Sequence, residues 1–433
     1  MGKWHILTMR DAGVELIDCV HKTPAAREDG YPYVGIPQMK NGWIDFDNAR
    51  RISREDFVEW TKKAKPQKHD VVLSRRTNPG VTAIDRTGTE FALGQNLVLL
   101  RADGRQIDPP FLKWLVRTPA WWGEIDKFMN VGAVFNSLKC ADVPNFQLPV
   151  PPIEVQRRMG SLLDAIDTKI DLNRRMNETL EAMARAIFKD WFVDFGPTRA
   201  KAERRAPYLI PELWELFPDA LDDEGKPIGW TFSEIGKEVQ AVGGGTPSTK
   251  ERSYWDGGEH RWATPKDLSK LTSPVLLDTD RKITDAGVQK ISSRLLPVGT
   301  VLLSSRAPIG YLAISEVPTA VNQGFIALVC QKRLPNIFVL FWCHENIEYI
   351  KDISGGSTFA EISKTAFRPV PVVVPSEQVL AAYEEIVRPL YIHIVGNTKE
   401  AVSLAQTRDL LLPKLMSGEI RFAEAEKVLE AVA

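Results

Sequence analysis

Asp108-Pro109-Pro110-Phe111 carries the residue types that hold an adenine for N6 methylation. A carboxylate and a carbonyl accept from the amino group, and a ring stacks on a base lifted out of the duplex. Methyl transfer also needs a glycine-rich cofactor turn after a strand, and no Phe-x-Gly-x-Gly or comparable turn stands at a suitable place. The same letters make a helix start with Asp as N-cap and proline in the first turn, which is the preferred reading. Pro218-Asp219 with Glu224-Gly225-Lys226 imitates a metal-dependent nuclease, but carboxylates this close in a Pro/Gly stretch cannot take adjacent strands. Gly243-Gly244-Gly245-Thr246 lacks the Gly-Lys-Ser/Thr of a phosphate loop. The histidines show no ligand spacing. Cys19, Cys140, Cys330 and Cys343 are scattered with no Cys-x-x-Cys, which argues against a zinc site or a disulfide framework. Cys343-His344 reads as packing rather than as a nucleophile with its base. No catalytic or metal site is expected in this chain.

What remains are polar, glycine-punctuated loops at repeated places. Val71-Val-Leu-Ser-Arg75-Arg76-Thr77-Asn78-Pro-Gly80 is answered by Val301-Leu-Leu-Ser-Ser305-Arg306-Ala-Pro-Ile-Gly310. Thr23-Pro24 answers Thr246-Pro247, Arg51-Ile52-Ser53 answers Lys282-Ile283-Thr284, and Gln95 answers Gln323. Gly132-x-x-Phe135 answers Gly356-x-x-Phe359, and Leu148-Pro149-Val150 with Gln156 answers Val370-Pro371-Val372 with Gln378. The offset of about 220–230 residues exceeds the period of solenoids and propellers, so it means two whole domains of one kind. Arginine can grip guanine or phosphate, and Asn or Gln can grip adenine. The candidate DNA contacts are therefore Lys40, Arg75, Arg76, Thr77, Asn78 and Gln95 in the first domain. In the second they are Thr246, Ser248, Lys250, Lys266, Ser305, Arg306 and Gln323. For any one of them, a solvated loop or a structural ion pair explains the residue equally well.

These loops must be positioned by β-rich domains, expected at 1–150 and 230–375, each ending in a proline-punctuated strand. A long helical pattern follows each. In the first, Met159, Leu163, Ile166, Ile170, Asn173, Asn177, Leu180, Ala184, Ile187 and Trp191 step by alternating fours and threes, a heptad seam. In the second, Leu380, Tyr383, Val387, Leu390, Ile394, Asn397, Ala401, Leu404, Arg408, Leu411 and Leu415 keep that rhythm, with a kink or late start expected at Pro389. The spacing places the spacer helices at 151–196 and 376–417, a charged and proline-rich surface linker at 197–229, and a tail at 418–433. The second helix begins where the second domain ends and should run back along the first. The expected fold is α/β (α+β). Two similar globular domains are separated by two long antiparallel coiled-coil helices in a pseudo-two-fold arrangement, each helix roughly 50 Å long over about 35 residues. Asn173 and Asn397, equivalent and near mid-helix, are expected to meet across the seam.

The 433 residues, 44% hydrophobic and 26% charged, suit a globular protein of two or three domains. A net charge of −1 excludes a uniformly basic nucleic-acid binder but not one basic face. No run of about 18 apolar residues predicts a membrane span, and Met1 to Arg10 lacks a signal-like stretch, so a cytoplasmic place is expected.

Pro149-Val-Pro-Pro-Ile-Glu-Val-Gln156, Asn173-Arg-Arg-Met-Asn-Glu-Thr-Leu-Glu181 and Ala184-Arg-Ala-Ile-Phe-Lys-Asp-Trp-Phe-Val-Asp-Phe195 carry a family likeness. So do Gly244-Gly-Thr-Pro-Ser248 and Arg408-Asp-Leu-Leu-Leu-Pro-Lys-Leu-Met-Ser-Gly-Glu-Ile420. The chain resembles the specificity subunits of type I restriction-modification systems. That resemblance implies two target-recognition domains, each reading half of a split double-stranded DNA sequence. It implies helices that dock two methyltransferase subunits, with two translocase-nuclease restriction subunits joining for cleavage. It implies no active site in this chain, with S-adenosylmethionine, ATP and magnesium serving the partner subunits. The family's usual basic charge is absent, so partner subunits are expected to supply much of the phosphate clamp. The rival readings are a self-contained adenine-N6 methyltransferase and a two-headed scaffold that binds proteins rather than DNA.

Overall fold

A computed structural model describes residues 4–132, 136–355 and 360–430. Phe135, Gly356 and Phe359, three of the repeat anchors, lie outside the described residues. The chain divides into two units, Met1–Lys169 with Ser403–Ala433, and Ile170–Val402.

In the first unit, the fully buried aliphatic runs Val71–Ser74 and Leu97–Leu100 form the middle of an antiparallel sheet. Its order is Val14–Asp18, Leu97–Ala102, Val71–Ser74, Thr82–Ala83. Continuous apolar runs mark strands covered on both faces. A three-stranded mixed sheet, Arg50–Ile52, Tyr31–Val34, Ala92–Leu93, lies next in topology. The domain is closed by its own ends, His5–Thr8 pairing antiparallel with Gln147–Val150.

The second unit repeats this plan. Gln240–Gly243, Phe325–Val329, Val301–Ser305 and Ile309–Ser315 take the same order, with Val275–Leu276 added at the edge. Lys282–Ile283, His260–Ala263 and Thr319–Val321 form the matching mixed sheet. Thr231–Glu234 and Pro371–Val374 close the domain. The register of the central strands agrees residue by residue. Ser74 stands opposite Leu97 as Ser304 stands opposite Phe325. The closing strands, however, make Phe146 equivalent to Val370 and Leu148 to Val372, so the sequence pairing of Leu148-Pro149-Val150 with Val370-Pro371-Val372 is two residues out.

The two long helices run Ile153–Phe192 and Glu377–Ser417, 40 and 41 residues. In the second unit, Phe188, Trp191 and Phe192 pack with Tyr383, Val387 and Ile394 in one core, and Leu180, Ile187 and Leu390 lie against it half-buried. Asn173 bonds near Asn397 while Phe192 meets Tyr383, so these helix segments are antiparallel. In the first unit, Leu163, Ile166, Leu404 and Leu411 are buried. The second helix starts at Glu377 and continues through Pro389, not after it. Proline removes one N–H, and Val387, Tyr391 and Ile394 around it are anchored in the core.

Segment 197–229 is largely exposed, as a surface linker would be, but carries more local structure than expected. A short helix, Gly196–Ala202, buries Pro197, Thr198 and Ala200, and Trp214 and Phe217 are buried further along. Lys226 folds onto Asp222 and Glu224. Its aromatic residues outweigh its charge and proline content. Among the described residues, no helix is long and apolar enough to cross a membrane.

Candidate nucleic-acid interface

The repeated letters have local causes. Ser74 and Ser304 are buried at a strand end, and each hydroxyl donates to a carbonyl of the following turn, Arg76 at 2.9 Å and Pro308 at 2.8 Å. Thr77 and Ala307, the residues after the repeated arginine, are both left-handed, at φ 63° and 54°. Gly80 and Gly310 also have positive φ, and a Cβ there would meet Ile125 at 2.8 Å and Ile347 at 3.1 Å. The repeated motif therefore encodes one turn shape and one close helix approach.

That frame brings Gln95 and Gln323 to the same place. Gly94 N–H donates to Val34 O and Arg75 N–H to Asn96 O, just as Asn322 N–H donates to Ala263 O and Ser305 N–H to Gly324 O. Both glutamines are exposed. Three loops meet around Gln323. Gly245 N–H donates to Val321 O, and Trp262 Nε1 donates to Gly245 O. Gly244 passes so close that a Cβ would sit 2.0 Å from Val321 O. Asp267, buried, accepts from Thr264 and Asp280 and so fixes the turn that exposes Lys266. Thr246 Oγ1 donates to Gln323 Oε1 at 2.6 Å. Thr246, Gln323, Lys266 and the Ser305–Arg306 turn are thus gathered at one end of the sheets. Ser305 itself is buried, and Arg306 pairs with Glu361 at 3.6 Å. Ser248 and Lys250 lie exposed further along the Thr246 loop, with Ser248 O accepting from Trp255 Nε1.

Around Gln95 the chemistry differs. Counting from the paired strands, His21 and not the Thr23 of the sequence repeat takes the place of Thr246, and its ring nitrogens lie 2.9 Å from Gln95 O and Asp18 Oδ2. Arg75 is turned inward, with its side chain only 12% exposed, 3.8 Å from Asp18 and near Leu138 O. This packing draws Arg75 away from the exposed tip and sets its guanidinium beside the half-buried Asp18 carboxylate. Arg76, Thr77 and Asn78 form the exposed tip, and Arg76 bridges to Ser137 as Arg306 bridges to Glu361. Lys40 is exposed on a separate short hairpin, paired with Asp45 at 2.5 Å.

Two residues of the second rim escaped the sequence reading. Lys364 lies beside Gly243, where a Cβ would stand 3.0 Å from its Nζ, and Arg368 donates to Ala241 O. Ile362 N–H bonds Ser305 O as Leu138 N–H bonds Arg75 O, so Lys364 and Arg368 match Cys140 and Pro144. Extending the repeat alignment past Phe359 would have found them.

The chemistry-like motifs dissolve in the structure. Phe111 is buried, so its ring has no open face for a base. Proline does occupy the first turn, but Asp108 is no side-chain cap. Its carboxylate faces Arg157 at 3.4 Å and its N–H donates to Gln156 Oε1. Asp18, Cys19 and His21 bring ligand atoms together. Yet burial pushes the Cys19 thiol up to about 11, it donates to Gly94 O, and the Arg75 cation stands beside Asp18. That set is polar packing. Burial also holds the Cys343 thiol well above its ordinary value, which suits packing rather than attack.

On the helices, the middle of the seam in the second unit is an amide network. Asn397 Nδ2 donates to Asn177 Oδ1 at 3.0 Å. Asn177 Nδ2 donates to Thr398 Oγ1 at 3.1 Å, and that hydroxyl meets Ser273 of the recognition domain at 2.9 Å. Asn173 reaches Glu400 at 2.7 Å and the main chain of Asn397 at 3.4 Å. The side-chain partner of Asn397 is therefore Asn177 rather than Asn173. Half-buried Ile170 lies one turn before Asn173. In the first unit, the buried carboxylate Asp167 pairs with Arg408 at 2.6 Å and faces Arg86 at 3.7 Å and Arg117 at 3.8 Å.

Comparison with known proteins places this architecture. The family model of the type I restriction modification DNA specificity domain matches residues 20–182 and again 227–389. A type I restriction enzyme MjaIX specificity subunit from Methanocaldococcus jannaschii is 38% identical over 173 residues, a match covering 40% of each chain. The HindI specificity subunit from Haemophilus influenzae is 23% identical over 84% of this chain and 89% of its own length. The crystal structure of a type I restriction-modification S subunit from M. genitalium shares the fold. Its TM-score is 0.54 at 16% identity, over 95% of this chain and 96% of that one.

Proposed function

This chain belongs to the type I restriction-modification DNA specificity family and carries its domain twice, and on that premise we propose how the division of labour runs. Each recognition domain reads one half of a split duplex target. The chemistry belongs to partner subunits. The observation that carries this reading is one frame used twice, with a glutamine at the same register and different neighbours around it. Equal frames give equal docking, and unequal rims give unequal base preferences.

The helices dock two methyltransferase subunits, and two restriction-translocase subunits join for cleavage. Exposed apolar residues on the helices support this, namely Leu172, Met176 and Met183 on the first and Ile392, Val402 and Leu410 on the second. S-adenosylmethionine, ATP and magnesium act on those subunits, and this chain binds none of them. The assembly works on cytoplasmic DNA. The modest basic rims, on a chain of net charge −1, leave much of the phosphate neutralisation to the partners.

The test has two arms. The purified chain is mixed with labelled S-adenosylmethionine and duplex DNA, and no methyl transfer is expected until methyltransferase subunits are added. The complex is then challenged with a randomised duplex pool, which should yield a bipartite sequence. Transfer by the chain alone would restore the methyltransferase reading, and failure to enrich any sequence would favour a protein scaffold.

A further inference from the structure

The rim of the second recognition domain holds one side chain whose orientation is biased before any ligand arrives. Gln323 is exposed, and its amide is biased to one orientation by a single hydrogen bond. Its backbone sits in a turn closed by Gly324 N–H donating to Asn322 Oδ1 at 2.8 Å and by Asn322 N–H donating to Ala263 O at 3.0 Å. Pro265 packs against Gly324, where a Cβ would stand 2.9 Å from its ring. The Thr246 hydroxyl then donates to Gln323 Oε1 at 2.6 Å. Thr246 is in turn held by Gly244 and Gly245, the first in a gap no side chain would fit and the second bonded to Val321 O and Trp262.

An amide biased in this way presents a donor and an acceptor side by side. Oε1 keeps one lone pair beyond the bond from Thr246, and Nε2 keeps its two N–H donors. In the major groove only adenine offers the complement, an amino donor at N6 next to an acceptor at N7. Guanine presents two acceptors, cytosine a lone donor, and thymine an acceptor beside a methyl. Biasing the side chain beforehand removes part of the ordering cost of the contact. In the first domain the match is broken. His21 stands where Thr246 does and holds the carbonyl of Gln95, not its amide.

We propose that Gln323, oriented by Thr246, reads one adenine of the half-site bound by the second recognition domain. This rests on the DNA-reading role proposed above and names the base for one position of it. Gln323 is the contact residue, and Thr246 is a positioning residue.

The experiment uses the full chain with its methyltransferase subunits and the duplex enriched from the randomised pool. Each adenine of that duplex is replaced in turn by 7-deazaadenine, which lacks the N7 acceptor. One adenine, in one half-site, is expected to weaken wild-type binding about 10-fold or more. Gln323→Ala should bind the natural duplex about 10- to 100-fold more weakly and lose all sensitivity to deaza substitution at that position, the range expected for a bidentate pair. Gln323→Glu, which keeps the shape and loses the donors, should do the same. Thr246→Val should weaken the discrimination partly, and Thr246→Ser should restore it. Sensitivity to every adenine retained in both Gln323 variants overturns the proposal. So does a uniform loss on all duplexes, scrambled ones included, because that marks a phosphate contact. If the wild-type complex enriches no sequence at all, the DNA-reading role itself falls, and the proposal with it.

Discussion

The two recognition domains share a scaffold to the level of single hydrogen bonds and differ in much of what they hang on it. The second rim gathers Lys266, Lys364, Thr246 and Arg306 around Gln323. The first keeps Arg76 at the place of Arg306, but sets Cys140 and His21 where the second has Lys364 and Thr246, and turns Arg75 inward. Buried positions repeat because strand register and the Gly80 and Gly310 approaches tolerate few residues. Rim positions diverge more because exposed side chains meet fewer packing constraints, and so specificity can vary there at little cost in stability.

A second contrast lies along the helices. One unit holds its helix segments with a charged centre, Asp167 among Arg408, Arg86 and Arg117. The other uses neutral amides, Asn173, Asn177 and Asn397, tied through Thr398 to Ser273. Both fix a register, but removing one partner has different consequences. A lone buried charge is costlier than a lone buried amide.

The largest expected effect tests the independence of the two domains. Replacing residues 1–150 with the first domain of another family member should exchange one half-site and leave the other intact. Discrimination between the old and new half-sites should swing by at least about 10³-fold, read by sequencing the enriched duplexes. A change in both half-sites would break the comparison outright.

Next, Asp167→Ala should cost about 3–5 kcal/mol, because three arginines lose a buried counter-charge. Urea unfolding of the purified chain measures this, and a loss below about 1 kcal/mol would show the centre to be solvated. Asn397→Leu should cost less, about 1–3 kcal/mol, since it strands the Asn177 carbonyl without adding a buried charge. If it costs as much as Asp167→Ala, the contrast between the two centres disappears. The smallest effect belongs to Arg306→Ala. Its ion pair with Glu361 is exposed, so stability should move by no more than about 1 kcal/mol. The salt dependence of DNA binding should lose a slope of about one if this arginine meets a phosphate. An unchanged slope, affinity and base preference would make it structural.

The repeat was legible in the sequence because buried turns demand particular residues. Val-Leu-Ser-Arg-Gly is that demand written twice, and Gln95 and Gln323 were paired correctly from it. The seam was legible too, since most of its apolar positions are buried. Three things were not. Arg75 and Arg76 are neighbours in one polar run, and only the strand's pleat decides which turns inward. Asn173 and Asn177 both fit the heptad step, and which of them meets Asn397 depends on axial stagger, which spacing does not encode. The fold of 197–229 was hidden because composition weighs its many charges above Trp214 and Phe217, whereas burial weighs area.

Each recognition domain is closed by its own first and last strands, His5–Thr8 on Gln147–Val150 and Thr231–Glu234 on Pro371–Val374. A gene segment that begins before one such strand and ends after its mate encodes both closing strands of one domain, while the second domain also draws core residues such as Phe188 and Tyr383 from the helices. Recombination in the stretches that encode the helices would therefore carry both closing strands of a domain together. New target sequences would then arise in a single genetic event, provided the incoming domain packs on the same helix residues.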